Sequence, residues 1–234
     1  MKKLLILILV LSGTFTMVSA EIGVKVGLSA QVGSLETSAK EDSTDGTTEH
    51  SGNEEALFAT AGYFIEKDFK FLPVPILNRL SIGYDNIVHD LDIGTQSNER
   101  AGGSLGAADG LDTTASHTNT VNGKVDGFET LYATLSITDW LYVKAGTVEV
   151  DVKTKYSTHN RQTGRYATNH SLDGSVMGVG LHHKSDNGLF FRLEWNDYDI
   201  DGKTVGNTGA DSKFSVTLND VSGSTARISI GKAF

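Results

Sequence analysis

The 234-residue sequence has no cysteine, so it holds no thiol for covalent catalysis and no disulfide, a composition compatible with an oxidising compartment. Proline is confined to Leu72-Pro73-Val74-Pro75, while glycine occurs 26 times. That balance disfavours helices and suits a sheet without breaks. No apolar run approaches the about 18 residues that a membrane-spanning helix needs; the longest, Leu4 to Leu11, lies at the very start. Basic residues are also in deficit. With Lys2 and Lys3 set aside, 18 remain against 29 acidic residues, a formal charge of −11. Such a chain is a poor nucleic-acid binder. It carries no phosphate-cradling glycine loop, and the sequence implies no cofactor.

Lys2 and Lys3 before the apolar run, followed by Val18-Ser19-Ala20, have the form of a secretory signal. Residues 1–20 are expected to be a cleaved signal peptide, and residues 21–234 a single β-barrel domain. Glu21, where a lipidated protein would place cysteine, argues against a lipid anchor.

What is present is alternation. Ile22, Val24, Val26, Leu28, Ala30 and Val32 fall on one parity, and Gly23, Lys25, Gly27, Ser29 and Gln31 on the other. That is the signature of a strand with one apolar face. Seven further segments are expected: about Ala56–Glu66, Arg79–Asp92, Val125–Thr138, Leu141–Val152, Ser175–Lys184, Leu189–Ile200 and a last one reaching Phe234. Most match the roughly 9 to 11 tilted residues that cross a bilayer. The connections alternate. Gly33–Glu55, Gly94–Gly123, Lys153–Leu172 and Asp201 to about Ser212 read as long loops; Thr138–Trp140, Ser185–Gly188 and the apolar-rich Lys67–Asn78 are shorter. Asn187-Gly188 is a hairpin signal. Lys213–Asp220 fits either the upper part of the last strand or a loop hairpin.

The C-terminal segment alternates through Ile228 and Ile230 to a terminal Phe234. In this it resembles the small, eight-stranded outer-membrane β-barrel family of Gram-negative bacteria (OmpA/OmpX-like or porin-like), in which such a Phe closes the last strand as an assembly signal. The resemblance implies an all-β fold, an eight-stranded antiparallel up-and-down transmembrane barrel in the cell outer membrane. It also implies that Phe234, Ile230, Ile228 and Gly231 form the signal for the barrel-assembly machinery. Lys232 departs from the pattern, which usually has an apolar or aromatic residue there.

A soluble secreted barrel would alternate in the same way with its apolar face inward. The opposite face separates the two, because it carries Lys25, Lys144, Arg192, Glu194 and Arg227 among small polar residues, with Asp85 and Glu66 on the same parity. Those charges suit a polar lumen. An eight-stranded lumen is only about wide enough for side chains to fill. A five-residue turn pairing His183 with Leu189 would set Gly180 against Arg192 and Gly178 against Glu194. Trp195 follows Leu189, Phe191 and Leu193 on the apolar face, with Asp197 and Asp199 beyond, reading as lipid, aromatic belt and water.

Motifs for chemistry are sparse. Asp197-Tyr-Asp-Ile-Asp201-Gly202 begins like a calcium loop, but Thr208 stands at the twelfth position and no helices flank it. Adjacent His182 and His183 point to opposite faces and cannot share a metal. Ser157 with His159, and His170 with Ser171, lie in polar loop sequence and suggest no catalytic pair. A three-residue turn at Thr138–Trp140 would oppose Glu129 and Glu149, so that a cation bridges them or the register loosens. Loop charge is segregated: Gly33–Glu55 is acidic, whereas Lys153, Lys155, Arg161 and Arg165 form a basic loop that could bind lipopolysaccharide phosphates. The expected role is therefore non-enzymatic, structural or surface-interacting, through outer-membrane lipids, lipopolysaccharide and an unknown surface ligand. A narrow porin for small solutes is the alternative, and a lipid-modifying enzyme the third.

Overall fold

Among the described residues every strand finds its partner in one antiparallel sheet that closes on itself. The computed structural model describes residues 23–43, 48–70, 73–88, 91–100, 117–158, 169–206 and 214–234; the signal-like residues 1–20 lie outside this set. The strands are β1 (Val24–Ser43), β2 (Thr48–Asp68), β3 (Leu80–Ile87), β4 (Leu91–Arg100), β5 (His117–Ser136), β6 (Leu141–Thr158), β7 (Asn169–Lys184), β8 (Leu189–Ile200), β9 (Lys203–Gly206), β10 (Phe214–Leu218) and β11 (Val221–Ala233). β3 and β4 run in succession along β5 as one interrupted strand. Pairing proceeds from β1 through β2, β3/β4, β5, β6, β7 and β8 to β11, which returns to β1. The result is a closed, eight-stranded, up-and-down barrel.

Closure joins the two chain ends. Lys25 pairs with Ala233 and Glu36 with Ser222, while the Gly23 amide donates to the Phe234 carbonyl at 2.7 Å and the Phe234 amide to Val24 at 2.9 Å. No strand edge is left in this part of the wall, which removes the usual route to edge-to-edge pairing.

Alternation sorts the side chains. Leu28, Met177, Phe191, Leu193, Trp195, Ile228 and Ile230 stand outward and exposed, as a lipid-facing belt requires. Beyond that belt the strands continue. Stretches expected as loops are ladders instead: β1 runs on to Ser43 against β2 from Thr48, β6 to Thr158 against β5 from His117, and β7 starts at Asn169. Apolar alternation reports only where lipid lies, whereas the backbone ladder needs no apolar side chain and carries polar residues upward just as well. Within the 213–220 segment Lys213 lies outside the described residues, and Phe214–Leu218 form β10. β10 forms a hairpin with β9 and pairs along Ala39–Ser43 of β1, extending the wall above β11.

Short turns close the other end. In the β7–β8 turn Ser185 donates to the Leu189 carbonyl at 2.8 Å, and Gly188 takes φ +83°. This is a three-residue loop whose last position needs the left-handed region that glycine enters freely. It is two residues shorter than the expected five, so His183 pairs with Phe191, Gly180 with Glu194, Gly178 with Asn196, and Arg192 with His182. At the Thr138–Trp140 turn Leu135 faces Val143 and Glu129 faces Glu149 in an unbroken ladder. The register slips only between Val125 and Gly127, so the like charges do not loosen their own pairing.

Candidate functional site: the filled lumen

The inward parity of each strand supplies the lumen. At the short-turn end four aromatic rings project inward, each paired across the ladder with glycine: Phe64 with Gly27, Tyr132 with Gly83, Tyr142 with Gly180, and Phe190 with Gly231. A ring needs floor space that a Cβ would occupy, and at every one of these glycines the nearest atoms include that ring. Bulk is thus alternated around the wall, which lets the rings fill a narrow interior at native density.

Between and above the rings lie the charges. Glu66, with no exposed surface, accepts two hydrogen bonds from Arg192 at 2.8 and 2.7 Å, one from Lys25 at 2.8 Å and one from Tyr132 Oη at 3.3 Å. Lys25 also reaches Asp68 at 2.6 Å, and Ser81 donates to Asp68 at 2.5 Å. A second group sits beside it: Arg227 pairs with Asp85 and lies 3.4 Å from Glu194, which is 3.7 Å from Lys144. Arg227 donates to Ser29 Oγ at 2.8 Å. The rings take part, with Lys144 4.4 Å from the Tyr132 centroid and the Arg192 guanidinium 5.0 Å from that of Phe190.

The structure therefore brings Lys25, Lys144, Arg192, Glu194 and Arg227 together with Glu66 and Asp85. It adds Asp68, which lies past the expected end of the second strand at Glu66. Parity alone would have included it, since Asp68 lies two residues beyond Glu66. Four cations meet four carboxylates, so the network is formally neutral. Charges withdrawn from water must be compensated in this manner.

Toward the long-connection end the lumen turns apolar. Val125, Phe128, Val148, Val150, Leu172, Val176, Tyr198 and Ile200 form a buried cluster, with Phe128 and Tyr198 edge to face at 5.4 Å. The inward face is expected to be polar; at this level it is apolar instead, while the outward positions between the buried residues are acidic, as at Asp173, Asp197 and Asp199, because side chains that fill an interior without water gain most by burying carbon. The even-numbered Val148 and Val150 share the parity of Lys144 and were legible as inward on that ground.

The other candidates do not converge. Asp197 and Asp199 face outward on β8 while Tyr198 and Ile200 are buried, and Trp195 donates to Asp197 at 3.3 Å. The Gly202 amide is taken by Asp220, from outside the calcium-like motif. No group of three or more acidic or histidine residues among the described residues is placed to hold a metal. Lys153 and Lys155 lie on the upper part of β6; Arg161, Arg165, His89 and His159 lie outside the described residues.

At the closing strand Ile228, Ile230 and Phe234 face outward, and Gly231 faces Phe190. Lys232 runs its chain down to the Asn187 carbonyl in the β7–β8 turn, an arrangement that keeps its ammonium out of the apolar belt. Deleting Phe234 removes two ladder bonds at the closing seam along with the outward ring. The folded, outer-membrane fraction is expected to fall, read as the heat-modifiable band on gels; unchanged surface levels would show the seam closes without it.

Eight staggered strands, an apolar belt outside and a plugged interior make one kind of molecule. The fold is that of an outer-membrane β-barrel. The outer membrane protease OmpT of Escherichia coli is similar over 95% of this chain and all of its own, with a TM-score of 0.50 and 7% identity. The outer membrane protein OprG of Pseudomonas aeruginosa is similar over 91% of this chain and 97% of its own, with a TM-score of 0.53 and 8% identity. No protein-family model and no curated protein matches the sequence. At such identities the likeness is one of fold.

Proposed function

We propose that the protein is a closed, non-catalytic barrel of the Gram-negative outer membrane, which anchors in the lipid layer and presents its long strand extensions to the surface. The observation that carries this reading is the doubly filled lumen, a neutral charge network beneath an apolar plug. An outward apolar belt beside a charged, buried interior reverses the arrangement of a soluble barrel. The short turns then lie in the periplasm and the long extensions outside. Partners on this reading are outer-membrane lipids and lipopolysaccharide, the latter through Lys153, Lys155, Arg161 and Arg165, and the barrel-assembly machinery during insertion.

Planar-bilayer recording tests the closed lumen against the narrow-porin alternative. The unmodified protein is expected to give no large, steady channels, and Arg192→Ala to give more current than the parent. Steady channels from the parent would overturn the closed reading. Unaltered lipid A in a host that expresses the protein is the matching expectation against a lipid-modifying enzyme.

A further inference from the structure

The connection between β2 and β3 is the least explained part of the wall. A periplasmic turn should be polar, yet Val74, Ile76 and Leu77 are exposed, at 46%, 71% and 40%. A turn of 3₁₀ helix, Leu77–Arg79, fixes this segment: Asn78 donates to Val74 at 3.0 Å and Arg79 to Ile76 at 3.2 Å. The Arg79 side chain donates to the Ile137 carbonyl at 3.1 Å, tying the connection to the β5–β6 turn. Between these elements and the end of β7 a pocket opens. Lys70, Arg79, His183 and Lys184 line it, along with the exposed indole of Trp140. Ser136 and Thr138 contribute hydroxyls, and Asp139 is the carboxylate among its lining residues.

Cations and hydroxyls converging on one pocket suit a phosphate diester. The exposed apolar turn beside it suits hydrocarbon, and an indole suits the boundary between the two. A free phosphate would use the first feature only. We infer that this pocket binds the headgroup of an anionic glycerophospholipid of the inner leaflet, with Val74, Ile76 and Leu77 against its acyl chains. The site rests on the membrane placement proposed above, and it gives the barrel a lipid preference on its periplasmic side.

The two tryptophans, Trp140 and Trp195, make separate reporters. Trp195→Phe leaves the indole at the pocket, and Trp140→Phe leaves the one on the opposite part of the belt. Each variant is inserted into vesicles of phosphatidylcholine containing a minor share of phosphatidylglycerol, with bromine carried on the chains of one lipid or the other. Trp140 is expected to be quenched preferentially by the brominated anionic lipid, and Trp195 equally by both. Lys70→Ala with Lys184→Ala should lower the anionic preference at Trp140 by about fivefold per charge removed, since each cation near the surface contributes roughly 1 kcal/mol. A retained heat-modifiable band shows that the variant is folded. Equal quenching of Trp140 by both lipids, with Trp195 quenched, overturns the lipid site and leaves the membrane reading standing. Quenching of neither indole overturns both. Loss of the preference on adding inorganic phosphate at matched ionic strength would assign the pocket to phosphate itself and defeat the lipid assignment.

Discussion

Replacing Glu66 by alanine is expected to cost the folded barrel about 3 to 5 kcal/mol, because it removes the carboxylate to which the buried Arg192 guanidinium is hydrogen-bonded. Arg192 sends two hydrogen bonds to Glu66, and its guanidinium lies against the rings of Phe64, Tyr142 and Phe190. Rings attract a guanidinium but do not neutralise it. Lys25, by contrast, keeps Asp68 at 2.6 Å after the change. The two cationic partners of Glu66 therefore predict unequal effects. Lys25→Ala leaves the Glu66–Arg192 pair whole and is expected to cost clearly less than Glu66→Ala. Urea unfolding in phospholipid vesicles, followed by tryptophan emission, measures both. Equal costs for the two variants would show that the network shares its charge evenly and has no hub at Glu66.

Filling the floor beneath a ring is expected to be the second large effect. A Cβ at Gly83 would meet the Cζ, Oη and Cε2 atoms of Tyr132, and no other group so closely. Tyr132 has little freedom to retreat, with Lys144 over its face and its hydroxyl on Glu66. Gly83→Ala should thus destabilise by about 1 to 3 kcal/mol, the usual cost of overpacking. The same substitution in a Tyr132→Ala background has room to spare. There its cost should largely vanish, giving a coupling between the two sites of about 1 kcal/mol or more. Additive costs would mean that Gly83 is required for its backbone rather than for the space above it.

Local chemistry made a large part of this molecule legible. Period-two alternation marked the segments that cross the lipid belt and assigned Lys25, Lys144, Arg192, Glu194 and Arg227 to the face opposite Leu28, Phe191 and Ile228, because a strand between two environments must record both in alternate residues. The Thr138–Trp140 turn carried enough geometry to align Leu135 with Val143 and Glu129 with Glu149. Asn187-Gly188 marks the β7–β8 turn, and the left-handed Gly188 lets it close two residues tighter than the expected five. Two residues keep parity, so every side chain stayed on its face while every partner changed.

Tertiary structure decided what those faces meet. Arg192 and Glu66 are 126 positions apart, and Arg227 and Ser29 198 apart; no periodicity within a strand relates such residues. Their meeting depends on closure of β1 against β11 and on the stagger that closure imposes around the wall. The apolar plug and the strand extensions share that origin. Once the barrel closes, its narrow interior excludes water and rewards carbon as well as paired charge, and a ladder already in register propagates past the lipid through residues that have no apolar pattern to announce it. The sequence by itself determined which way each side chain points, because that is set one strand at a time. Closure of the sheet alone determined its partners, because contacts across the lumen belong to the whole ring of strands.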